Sequence, residues 1–243
     1  MATYADLCKE IDAMRAFHIR GGAVISLEGD YTAAIVARLL YLIERNAIIV
    51  PIADTVNRNE MCSTAEAEMA VTENAVIILG RWATHPLIVE LRARKTPGLI
   101  LFSSGSTGKQ KAALHDLGPL IDRHKKKRRA YRTLTFLLLD HIGGINTLLY
   151  SLANGGMVVS VKDRRPDTVC AAIERHQVEL LPTSPTFLNM LLISEAWKRH
   201  DLSSLKLITY GTEAMPQSTL DRLREVMPHV KLKQTYGLSL IHI

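Results

Sequence analysis

The sequence predicts an α/β fold built on largely parallel β-sheets flanked by helices. Three features carry this reading. Short β-branched runs recur along the chain, amphipathic stretches of helical period separate them, and Gly, Asp, Asn or Pro stand at several of the junctions.

The elements follow in order. AVISL (residues 23–27) reads as a buried strand, closed by Gly29-Asp30 as turn and cap. YTAAIVARLLYLIER (31–45) then places Ile35, Leu39 and Ile43 on one face, with Val36 and Leu40 beside them, which is a helix. Asn46 ends it, and AIIVPI (47–52) is the next strand. Further strands are expected at AVIIL (75–79), LILF (99–102), LTFLLL (134–139), MVVSV (157–161), VELLP (178–182), LKLITY (205–210) and VKLKQ (230–234). Between the later ones lie helices at INTLLYSLA (145–153), DTVCAAIERH (167–176), PTFLNMLLI (185–193) and QSTLDRLREVM (217–227). Pro185 and Pro216 stand where helices begin. Residues 55–74 are the least regular stretch, either a connection between subdomains or a frayed helix.

Composition narrows the class. At 243 residues, 47% hydrophobic and 22% charged, the chain has enough apolar residues for one large domain or two small ones. No apolar run reaches the eighteen or so residues a membrane helix needs, and the N-terminus lacks the apolar core of a secretory signal. Cys8, Cys62 and Cys170 are scattered and odd in number, which suits reduced thiols in a cytoplasm. The net charge of +6 is matched by the six Lys and Arg residues of RHKKKRR (123–129), so the rest of the chain is balanced. That run reads as a solvated helix face; no interleaved aromatic residues support stacking on bases, and no nucleic-acid partner is expected.

The chemistry concentrates in LILFSSGSTGKQKAALHDL (99–117). Its centre is a Ser/Thr/Gly-rich turn ahead of lysines, a composition that lets backbone N–H groups and hydroxyls approach phosphate oxygens. It is not a Walker A loop: Ser103 stands at the first glycine position and Gln110 where the magnesium-binding hydroxyl belongs. The residues that follow suit a strand and a turn, not the helix such a loop opens. DHIGG (140–144) is a near match to a signature of tRNA-charging enzymes, but it lacks the final histidine and any lysine-rich partner motif.

Together with its flanks, the stretch resembles the phosphate loop of the adenylate-forming superfamily, which includes acyl-CoA synthetases, peptide-synthetase adenylation domains and luciferases. Ser103, Ser104, Gly105, Ser106, Thr107 and Gly108 match that loop in order, and Lys111 falls on its lysine; Gln110 and Ala112 replace the usual Pro and Gly. LITYGTEAMP (207–216) is similar to the family's second nucleotide element, with Gly211, Thr212 and Glu213 in the turn. QTYGLSL (234–240) is similar to the third, through Gln234, Thr235, Tyr236, Gly237 and Ser239. DHIGGINTLLYSLANGG resembles the acyl-pocket segment, with His141 and Gly143 at the positions that line it.

The resemblance implies ATP-dependent activation of a carboxylic acid to an acyl-adenylate, followed by transfer to coenzyme A or to a carrier-protein thiol. It implies Lys111 as a catalytic cation toward the β- and γ-phosphates, the ring of Tyr236 on adenine, and the Ser239 hydroxyl near the α-phosphate. It also implies magnesium carried on ATP, yet Leu240 stands where the family has its metal-binding Glu, so no protein metal ligand is expected. On this reading residues 1–243 are a partial N-terminal AMP-binding domain, divisible into two sheet subdomains, without the C-terminal lid and with doubtful activity as it stands. The alternative is a non-catalytic nucleotide-binding fragment or module.

Overall fold

The computed structural model describes residues 1–54, 56–104, 110–211 and 213–235. Among the described residues the chain divides into two compact units, the first comprising Met1–Arg123 with Leu139–His141, the second His124–Leu138 with residues 142–235.

The first unit opens with α1 (Tyr4–Met14), started by a capping box in which Thr3 Oγ1 accepts the Asp6 N–H and the Thr3 N–H donates to the Asp6 carboxylate. β1 (Val24–Glu28), α2 (Ala33–Glu44) and β2 (Ile48–Ile52) follow as the apolar pattern requires, with Thr32 capping α2. The irregular stretch resolves into α3 (Arg58–Thr64) and the short strand β3 (Met69–Val71). Seven- and three-residue elements are too brief to show a periodicity above background.

β4 (Val76–Ile78) pairs antiparallel with β3, and α4 (Pro86–Ala93) leads to β5 (Gly98–Ser104). β6 (Gln110–Asp116) folds back antiparallel on β5, and α5 (Gly118–His124) follows. The sheet order is β4-β3-β1-β2-β5-β6, parallel except at its two ends. Val24, Ile48, Val50, Ile52 and Ile100 pack one face against Met61, Cys62, Ile88 and Leu91 of α3 and α4. Glu68 pins the N-terminal end of β1: its buried carboxylate receives Arg20 and Arg92, each at 2.9 Å, and the N–H groups of Val24 and Ala83. A charge this buried is tolerable only because every lone-pair direction has a donor.

The second unit is a fully parallel sheet of order β11-β10-β9-β7-β8. Its strands and α-helices alternate: β7 (Arg132–Thr135), α6 (Ile142–Ala153), β8 (Met157–Ser160), α7 (Pro166–His176), β9 (Leu180–Thr183), α8 (Pro185–Ser194) with a short 3₁₀ turn after it (Ala196–Lys198), β10 (Leu207–Tyr210), α9 (Gln217–Val226) and β11 (Lys231–Gln234). Leu134, Val169, Ile173, Leu181, Phe187, Leu188, Ile208 and Leu223 form its core.

Two expectations need correction. The strand expected at residues 134–139 is β7, two residues earlier and shorter, because the Phe136 N–H turns back onto the Leu134 carbonyl at 3.1 Å. The basic run is not a helix face. α5 stops at His124 and residues 125–129 are exposed and non-helical, held by Asn154 Oδ1 accepting the Arg128 N–H and by Tyr150 donating to the Arg129 carbonyl. On a continued helix Lys125 and Arg129, four residues apart, would face each other as like charges and repel.

Candidate functional site

Parallel α/β sheets present their ligand-binding loops at the carboxyl ends of the strands, and both units place the motif residues there. In the first unit, β5 and β6 form a hairpin whose register sets Ser103 opposite Lys111 and Ser104 opposite Gln110. The serines at the end of one strand and the lysine at the start of the next are therefore neighbours across the ladder. Lys111 is exposed. Gly105, Ser106, Thr107 and Gly108, between them, lie outside the described residues.

The neighbouring carboxyl ends of β1 and β2 add polar groups. Glu28 closes β1, its carboxylate accepting from Ser26 Oγ at 2.9 Å and from Arg58 Nε at 2.8 Å. Gly29 follows at φ +142°, where a Cβ would stand 2.8 Å from the Ile35 side chain of α2; only glycine makes that exit. Asp140 accepts the Ala53 N–H just past β2, and burial raises its carboxyl above the usual range against that bond and the nearby His141. His141 is half-buried, and burial lowers its imidazole below the ordinary value. Gly143 lies in the first turn of α6.

In the second unit, β9, β10 and β11 run parallel, so Thr183, Tyr210 and Gln234 come level at their carboxyl ends. Gly211 leaves β10 directly against Thr235: a Cβ there would stand 2.4 Å from the Thr235 carbonyl oxygen and 2.7 Å from its hydroxyl. Thr235 in turn donates its N–H at 2.7 Å and its hydroxyl at 3.1 Å to the Tyr210 carbonyl. Two motifs twenty-odd residues apart in sequence are thereby stitched into one surface. Glu213 is exposed and its carboxylate accepts from Thr186 at the start of α8. Gln234 is exposed. Thr212, Tyr236, Gly237, Ser239 and Leu240 lie outside the described residues.

Sequence reasoning missed Asp140, Glu28 and Thr186. Asp140 stood beside His141 in the quoted motif, but its burial depends on β2, which no local pattern reveals. Thr186 follows a Ser-Pro helix start; that signal marks a cap, not its distant carboxylate partner. A cavity of about 60 Å³ under β5 and β6, lined by His85, Ile88, Ile100, Ala112 and Leu114 among others, is too small for a nucleotide. Among the described residues no group of three or more His, Cys, Asp or Glu side chains could hold a metal ion, and no helix is long and apolar enough to cross a membrane.

The fold and these strand-end loops define a largely parallel α/β protein of the nucleotide-binding kind. A family model described as AMP-binding enzyme matches residues 12–239, and the chain belongs to that family, whose members activate acids by adenylation. It is 37% identical over 152 residues to an indoleacetate–CoA ligase of Aromatoleum aromaticum, a match covering 59% of this chain and 29% of that protein. A 4-coumarate–CoA ligase-like protein of Oryza sativa is 33% identical over 180 residues, covering 66% of this chain and 33% of that one. The chain thus spans about a third of the length of these curated relatives. The inhibitor-bound N-terminal domain of FACL13 from Mycobacterium tuberculosis shares the fold, with a TM-score of 0.75 at 17% identity over 97% of this chain and 69% of that one.

Proposed function

We propose that the chain is the partial N-terminal AMP-binding domain of an ATP-dependent acid–thiol ligase acting on an aromatic or arylacetic carboxylic acid. The observation that carries the reading is the union of Gly211 with Thr235 at the carboxyl ends of β10 and β11, since it joins in one surface the two separate motifs assigned to the nucleotide. The names of the two CoA ligases above support the acid class and coenzyme A, ahead of a carrier-protein thiol, as acceptor. Buried, unpaired thiols at Cys62 and Cys170 fit a reducing, cytoplasmic setting.

In this reaction a carboxylate oxygen attacks the α-phosphorus of ATP and pyrophosphate leaves; a thiol then attacks the acyl carbon and AMP leaves. Catalysis rests on alignment and charge neutralisation. Ser103, Ser104 and the loop from Gly105 to Gly108 hold the phosphates by N–H and hydroxyl donors, and Lys111 supplies the cation. The turn of Gly211, Thr212 and Glu213, with Gln234, Thr235, Tyr236, Gly237 and Ser239, receives the nucleoside and α-phosphate. His141 and Gly143 line the acid's side. Magnesium, when bound, would enter on ATP and neutralise charge on the polyphosphate.

The test is acid-dependent ATP–pyrophosphate exchange by the full-length protein that carries this chain, across aromatic, fatty and amino acids. Exchange greatest with aromatic acids and abolished by Lys111→Ala is expected. Exchange with none of them, or exchange independent of Lys111, overturns the proposal.

A further inference from the structure

Glu213 is the one acidic residue in the turn assigned to the nucleotide, and an exposed carboxylate facing the α-phosphate would repel it. The structure gives that charge another occupation. Thr186, in the first turn of α8, donates its hydroxyl to Glu213 Oε2 at 2.5 Å and its backbone N–H to the same oxygen at 3.1 Å. The other donors of that turn are accounted for: Pro185 has no N–H, and the Phe187 N–H goes to Ser184 Oγ at 3.2 Å. The Thr186 N–H is thus left for Glu213, and the positive end of a ten-residue helix faces the carboxylate.

The bond pair ties the loop after β10 to the helix after β9. From the other side, Gly211 is fixed against Thr235. Gly211 and Glu213 are therefore each held by the exit of a neighbouring strand. We infer that Thr186 is a positioning residue of the nucleotide site: it engages Glu213 as a cap on α8, which sets the turn's shape and withdraws its negative charge from the ligand. This rests on the assignment of the turn to the nucleotide made above.

The test compares the chain with Thr186→Val, Thr186→Ser, Glu213→Ala and the Thr186→Val/Glu213→Ala double variant. Three readouts are taken: amide hydrogen exchange over residues 210–216 without nucleotide, affinity for N-methylanthraniloyl-AMP, and the thermal midpoint. Thr186→Val is expected to speed that exchange and weaken AMP binding about three- to tenfold, with both effects reversed in Thr186→Ser. The double variant is expected to bind no worse than Glu213→Ala alone, because the two residues act as a unit. Additive losses would show Glu213 meeting the nucleotide independently of Thr186, and would overturn the inference. A lowered midpoint with unchanged AMP affinity makes Thr186 a helix cap only, and also overturns it. If the unsubstituted chain binds no AMP, the nucleotide assignment fails, while the exchange comparison still decides whether Thr186 holds the turn.

Discussion

Gly211 lies so close to Thr235 that a single added methyl would stand 2.4 Å from the Thr235 carbonyl oxygen. Backbone yields little there, because the Thr235 N–H is bonded to the Tyr210 carbonyl and Thr235 directly follows Gln234, which pairs with Tyr210. Gly211→Ala should therefore cost about 1–3 kcal/mol of stability through overpacking and weaken adenine-nucleotide binding. Urea unfolding and a nucleotide titration of the same variant check this; an unaltered midpoint and affinity would show that the two exits separate at no cost.

Lys111 sits opposite Ser103 at the mouth of the β5–β6 hairpin. Replacing it with Ala in the full-length protein should remove a charge-assisted contact of ~1.5–3 kcal/mol, roughly ten- to a hundredfold in ATP use. Lys109→Ala, at the motif's variable position, should change little. Equal losses in the two variants would mean that the loop has been aligned wrongly.

His115 lies on β6, its Nε2 buried without a partner among the described residues, and burial lowers its imidazole below the ordinary value. The unfolded chain therefore takes up the proton first. The neutral ring's contribution is intact above about pH 6.5 and is lost as pH falls below it. Denaturant titrations at pH 7.5 and 5.5 should show a smaller drop for His115→Leu than for the unsubstituted chain. A drop of the same size in both excludes His115 as its source.

Cys170 is fully buried, and burial pushes its thiol up to about 12, with the Asp167 carboxylate adding to the rise. Cys62 is also buried, whereas Cys8 is exposed. A thiol reagent at pH 8 should label Cys8 rapidly in the native protein and reach the other two only after denaturation. Rapid native labelling of Cys170, mapped by mass spectrometry, would show that the core of the second unit opens readily.

Much of this protein can be read along the chain because its main signals are local. Ile35, Leu39 and Ile43 repeat at helical spacing, strands such as β1 and β2 are short apolar runs rich in Val and Ile, and Pro185 sits where a helix starts; each depends only on near neighbours. The nucleotide motifs are equally local, since backbone approach to phosphate demands small residues in an unbroken row. Elements too short for periodicity, such as β3 and α3, carried no such signal, and the basic run's conformation depended on Asn154 and Tyr150. Partnership is what tertiary structure alone decided. Strand order brought Gly211 to Thr235, and the β9–β10 pairing brought Glu213 to Thr186. Position along the chain sets which side chains are available, but only the packing of distant segments sets the distances at which they meet.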